Sequence, residues 1–258
     1  MTHSSAEAIS RLPNGYQTVR KHLHGKCSLL RSRFTAMKTV RLFLADPNRS
    51  IFNARVLAIR DSALILDRSL FIPADSRHTG DRGSIDGVPI VSVQTLSTGE
   101  TVHRVAPAHA TGFTRRSQVS GELDWEHRHR LMRLSTAAFL VDRGLFHLFG
   151  VQTVKCLRLD SASNSLALQI PSSLLTRHPE PVSKLSEWVG AIVRENYPVR
   201  MIHNQQYPQL HGAIDGLGSA SLVFVSLSRT GEIGSAKIEA GAEAAKAAMA
   251  TLLVSLTD

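Results

Sequence analysis

Twelve histidines and two cysteines are the side chains of this 258-residue chain best suited to hold a transition metal. The histidine spacing argues against that use. No two histidines lie three or four positions apart, so no histidine pair shares a helix face as zinc ligands would. His22/His24 and His127/His129 are two apart, which on a helix turns the rings roughly 200° from each other. Cys156 has no Cys or His within four residues and reads as a small buried hydrophobe rather than a nucleophile. No Walker loop, G-x-S-x-G elbow or G-x-G-x-x-G turn occurs. The expected metal and cofactor complement is none.

Charge points to a polyanion. Lys and Arg number 30 against 21 Asp and Glu, a surplus of +9, and phosphates reward clustered cations through counterion release. Aromatics at 5% argue against a stacking platform for single strands. A hydrophobic content of 43% excludes a disordered chain or a coiled coil. No apolar run approaches the ~18 residues of a membrane span. Two distant cysteines make no disulfide framework, so a reducing cytoplasm, away from membranes, is the expected location.

The elements that would position a site fall into two blocks. Residues 1–36 form a basic N-terminal extension, with Arg11, Arg20, Lys21, Lys26, Arg31 and Arg33 facing the single acid Glu7. It reads as a loose tail or an arm that touches nucleic acid. Residues 37–122 carry short apolar runs at Val40–Leu44, Ala54–Ile59, Ala63–Leu66 and Val88–Val93, separated by turn residues such as Gly80-Asp81-Arg82-Gly83. Such spacing predicts a small β-barrel. From 123 to 258 the pattern becomes α+β. Leu131, Leu134, Ala138 and Val141 form a helical stripe with Asp124 as N-cap. A second helix is predicted over Val182–Glu195, strands over 199–203, 220–227 and 233–239, and an Ala-rich closing helix over 242–256.

Five local stretches resemble one family. Gly121-Glu122-Leu123-Asp124-Trp125-Glu126-His127-Arg128 and the helix through Leu140 are similar to the start of the editing core of AlaX-type freestanding alanyl-tRNA editing proteins, a core shared with alanyl-tRNA synthetase. Asn196-Tyr197-Pro198-Val199 resembles the family's N-x-P-V, and Thr230-Gly231-Glu232-Ile233-Gly234 its T-G-E-I-G. Phe52-Asn53-Ala54-Arg55-Val56 and Leu66–Pro73 resemble its opening barrel, and the resemblance spans about 38–239. The departures are as informative. The family holds zinc through H-x-x-x-H and C-x-x-x-H; those positions fall here on Ser135, Phe139, Leu222 and Ser226. The family's G-G-G-Q loop falls on Asp75-Ser76-Arg77-His78, where glycine-dependent backbone cannot be kept.

The resemblance implies an aminoacyl-tRNA partner and a site from which the family's zinc is absent. Three functions follow. The first is transfer of an aminoacyl group from tRNA to a small amine or hydroxylamine acceptor, for which a drier pocket suppresses hydrolysis. The second is zinc-free deacylation of aminoacyl-tRNA, a trans-editing hydrolase. The third is tRNA binding without catalysis. The candidate catalytic residues are Ser135, Thr136, Ser226 and His78, the last as a general base or else a solvated loop histidine. Phe139 and Leu222 are candidates to line the substrate cavity or merely to fill it. Arg128, Arg130 and Arg133 match the family's basic helix start and are candidates for phosphate contact, or for a solvated or ion-paired helix face. Lys155, Arg158, Arg115 and Arg116 are weaker candidates of the same kind.

Overall fold

A computed structural model describes residues 39–151, 154–204, 207–241 and 249–257. The basic extension 1–36 and the first part of the expected closing helix, 242–248, lie outside the described residues. Six strands close a barrel: β1 (Ile51–Arg60), β2 (Ala63–Leu66), β3 (Gly83–Ile85), β4 (Val88–Thr95), β5 (Thr101–Val105) and β6 (Gln118–Leu123), in the order β1-β2-β5-β4-β3-β6. Alternation sets which side chains face inward: Phe52, Ala54 and Val56 are buried on β1, and Val119, Gly121 and Leu123 on β6. Glycine is required at 121, because a Cβ there would lie 2.2 Å from the ring of Phe52. The expected strand at Val40–Leu44 is shorter than predicted. Only Val40–Arg41 pair with a neighbour, and Leu42–Leu44 form a 3-10 turn that buries Phe43.

The long helix α1 (Trp125–Phe149) follows. Asp124 caps it through His127 N–H at 3.1 Å, and Gly150 ends it in the left-handed region at φ +69°. Helix α2 (Pro181–Glu195) packs on α1, where Gly144 admits Leu185 and Trp188. β7 (Lys155–Asp160), β8 (Ser165–Pro171), β12 (Ser235–Ala240) and β13 (Met249–Thr257) make an antiparallel sheet ordered β12-β13-β8-β7. β9 (Arg200–Asn204), β10 (Tyr207–Ile214) and β11 (Gly218–Ser221) form a separate three-stranded sheet.

Two sequence expectations are corrected here. Residues 249–256 belong to a strand, not a helix. Ala250, Leu252, Val254 and Leu256 are buried with a period of two, and pairing on both sides overrides the helical preference of alanine. The strand expected over 220–227 ends at Ser221; residues 222–229 run irregularly against α1. The expected division at residue 122 follows the change from barrel to helix, but one apolar core runs across it from Phe52 and Leu70 to Leu131, Phe224 and Leu252.

Inside the barrel a polar pair is sealed from water. His103 is fully buried, with Nε2 2.8 Å from Ser69 Oγ and Nδ1 3.3 Å from the Leu64 carbonyl. The carbonyl only accepts, so Nδ1 carries the proton and Nε2 accepts from the serine. Burial pushes the imidazole down to about 4, with the Leu64 carbonyl opposing in part. The unfolded chain therefore binds the proton first as the pH falls. Stability is complete above 6.5 and is expected to drop by roughly 3 kcal/mol between pH 6.5 and 4. Urea midpoints across that range check it: His103→Gln should flatten the acid limb, and an unchanged limb would show that another group governs it.

Candidate functional site

Ser135, Phe139, Leu222 and Ser226 lie where α1 meets residues 222–227, and all four are buried. Ser135 Oγ donates to the Phe224 carbonyl at 3.0 Å and accepts from the Phe224 N–H at 3.1 Å. Thr136 Oγ1 donates to the Met132 carbonyl at 2.9 Å and accepts from Leu227 N–H at 3.0 Å. The two hydroxyls therefore hold an irregular backbone segment against the helix, satisfying groups that no sheet satisfies. Phe139 and Leu222 meet across Gly212. A Cβ there would lie 3.1 Å from Leu222 Cδ2 and 3.4 Å from Phe139 Cδ2. Ser226 makes no hydrogen bond to another described residue through its hydroxyl.

This set does not fit a zinc ion. One hydroxyl is committed to backbone, two side chains carry no donor, and a neutral serine is a poor ligand. Among the described residues, no group of three or more His, Cys, Asp or Glu side chains is placed to hold a metal.

The other predicted residues are engaged within the protein. His78 packs edge-on against Phe224, with ring centroids 5.0 Å apart. Its Nδ1 accepts from Gly80 N–H at 3.1 Å, and Nε2 faces Asp75 Oδ1 at 3.4 Å. Burial lowers its pKa, Asp75 opposing, so the ring is neutral at pH 7 with its proton on Nε2. Both ring nitrogens are thus engaged within the protein. Arg128 is fully buried and donates to Asp81, to the Leu70 carbonyl at 2.7 Å and to the Pro47 carbonyl at 3.0 Å. Arg133 is buried against the carbonyls of Ile233 and Thr257. Neither reaches solvent as a phosphate contact requires. Arg130 does; it is 43% exposed and pairs with Glu126 one turn back.

An open cleft of about 600 Å³ adjoins this filled wall. Ala138, Asp142 and Arg143 of α1 line one side, Lys155 and Cys156 of β7 another, and Leu222 the floor. Arg77 reaches in from the barrel loop, which is tied to β7 by a 2.7 Å bond from Leu159 N–H to the Arg77 carbonyl. Of the predicted site residues, Leu222 lines it, as does Lys155 among the weaker candidates. Burial pushes the Cys156 thiol up to about 11, with Arg77 opposing, so it is a neutral thiol and no nucleophile at pH 7. Asp75 sits low despite its burial, because Arg77 hydrogen-bonds to it. Sequence reasoning missed Arg77, Asp142 and Arg143. The one available signal was that 142 and 143 follow Phe139 by three and four positions, on the same helix face.

No protein-family model matches the chain. It is 32% identical over 112 residues to the alanyl-tRNA editing protein AlaX-M of Pyrococcus horikoshii, covering 43% of this chain and 51% of that protein. It is 28% identical over 117 residues to AlaX-M of Saccharolobus solfataricus, covering 43% and 49%. To the alanine–tRNA ligase of Methanococcus vannielii it is 36% identical over 113 residues, 44% of this chain and 12% of that enzyme. The chain thus spans about half the length of the AlaX-M proteins it matches. Over that span the chain is similar to the AlaX-type alanyl-tRNA editing proteins and to alanine–tRNA ligases.

Proposed function

We propose that the chain hydrolyses the ester linking an amino acid to the 3′ end of tRNA, as a zinc-independent trans-editing deacylase acting in the cytoplasm. The observation that carries this reading is a cation-lined cleft adjoining the wall where α1 meets residues 222–227. Water adds to the ester carbonyl carbon, the acyl C–O bond breaks, and the products are a free amino acid and the tRNA hydroxyl. An aminoacyl ester is reactive, so holding it against water in a fixed geometry can supply much of the acceleration, up to about 7–11 kcal/mol in favourable intramolecular cases. The relatives are named as editing proteins, which favours hydrolysis over the acyl transfer to a small acceptor that the drier wall first suggested. Arg130, Lys155 and the basic residues of 1–36 supply phosphate attraction in this reading.

The test is multiple-turnover release of amino acid from a panel of correctly and incorrectly charged tRNAs, with chelator present and absent. Release that persists with chelator is expected for at least one charged tRNA. A second arm adds hydroxylamine. Hydroxamate formed in place of free amino acid, with none released when the acceptor is omitted, would make the chain an acyltransferase. Binding without turnover in either arm would make it a tRNA-binding protein.

A further inference from the structure

Asp142 is oriented in an unusual way for a carboxylate beside an arginine. Arg143 directs both Nε, at 3.0 Å, and Nη2, at 2.5 Å, to the same oxygen, Oδ2. Oδ1 has no hydrogen-bond partner among the described residues, although the side chain is only 16% exposed and lines the cleft. Oδ1 is therefore the carboxylate oxygen left to accept from a ligand in the cleft. Around it the cleft is cationic. Arg143 is held in place by its pairing and by the Phe146 ring, 5.2 Å from the guanidinium carbon. Lys155 is exposed and in no described ion pair, and Arg77 enters from the opposite element with Nη1 free of described partners. Its volume lies within the range of small-ligand sites.

We propose that this cleft holds a ligand carrying an ammonium and a phosphate at separate ends, with Asp142 Oδ1 accepting from the ammonium and Lys155 and Arg77 facing the phosphate. The 3′ end of an aminoacyl-tRNA has this pattern, so the inference rests on the function proposed above and names the residue that reads the α-amino group. On α1, Asp142 lies about one helical turn beyond Phe139 and two beyond Ser135. Asp142 is a binding and positioning residue here; it supplies no proton.

The probe is 3′-deoxy-3′-(alanylamino)adenosine 5′-monophosphate, whose amide resists hydrolysis, compared by calorimetry with its N-acetylated form. The full chain is expected to bind the free amine at least about tenfold tighter, as a charge-assisted hydrogen bond supplies. Asp142→Asn, close in shape, should bring the two forms within about twofold while leaving the acetylated form unchanged. Lys155→Ala, on the surface, should weaken both forms alike and reduce the salt dependence by about one phosphate contact. Equal binding of the two forms by the unsubstituted chain, no binding of either, or an amine preference that survives Asp142→Asn would overturn the assignment. If no charged tRNA is deacylated yet the amine preference and its loss in Asp142→Asn are seen, the hydrolase reading fails and the cleft assignment stands.

Discussion

Asp81→Asn is expected to lower stability by about 3–5 kcal/mol, the range for removing one partner of a buried ion pair. Arg128 and Asp81 have side-chain exposures of 0% and 1%. The guanidinium donates to both carboxylate oxygens, and Asp81 Oδ2 also accepts from Ile72 N–H at 2.6 Å. The asparagine keeps the shape but leaves a cation in a dry site beside the Phe224 ring, 5.6 Å from its guanidinium carbon. Replacing both residues, Asp81→Asn with Arg128→Met, should cost clearly less than the sum of the two single changes, because no unpaired charge remains. Urea unfolding of the four proteins measures this; additive losses would mean the pair is not coupled. The pair also bears on function. It fastens the barrel turn at 80–83 to the first turn of α1, and the loop from that turn carries Arg77 over the cleft. Its loss should weaken probe binding as well as folding.

The residues that made the sequence recognisable turn out to be joints of the fold. Thr230 of the T-G-E-I-G stretch donates to the Ile192 carbonyl at the end of α2, and a Cβ on Gly231 would lie 2.5 Å from Asn196 Oδ1. Asn196 itself ends α2 at φ +53°. Ile233 is fully buried and Gly234 has φ +76°. Each needs its residue type for local steric reasons, so each survives as a readable word. The barrel was legible for the same reason, through alternation and turn glycines. The closing strand was not. The alanine-rich residues 242–248 just before it favour helix locally, and only pairing with β8 and β12 makes 249–257 a strand.

Family positions led to the wall where α1 meets residues 222–227, and the hydroxyls expected there to act on substrate bond backbone instead. A serine in a sequence does not disclose whether its partner is a ligand or an unpaired N–H two elements away. The cleft residues come from the barrel loop, the helix and β7, more than sixty positions apart at the extremes, and no motif joins them. Net charge hinted at the partner and could not say which of thirty cations face it.

Phe139→Ala is the sharper test of what holds this wall together. The ring is 1% exposed, and its removal is expected to cost about 3–5 kcal/mol, in the range for a buried phenyl group whose surroundings relax only in part. Leu222→Ala should cost about 2–5 kcal/mol. Both side chains close on Gly212, so the double variant should depart from additivity by 0.5 kcal/mol or more, which distant sites do not show. A metal ties a helix to its neighbouring segment through directed bonds. Here the same two elements are joined by the Ser135 and Thr136 hydroxyls on the backbone, with apolar contact filling the volume between. If that is how the wall stands, hollowing it at Phe139 lowers stability without creating a metal requirement, and added zinc leaves the urea midpoint where it was. A loss below about 1 kcal/mol, or rescue of the variant by zinc, would show that the ring is not what holds the two elements together.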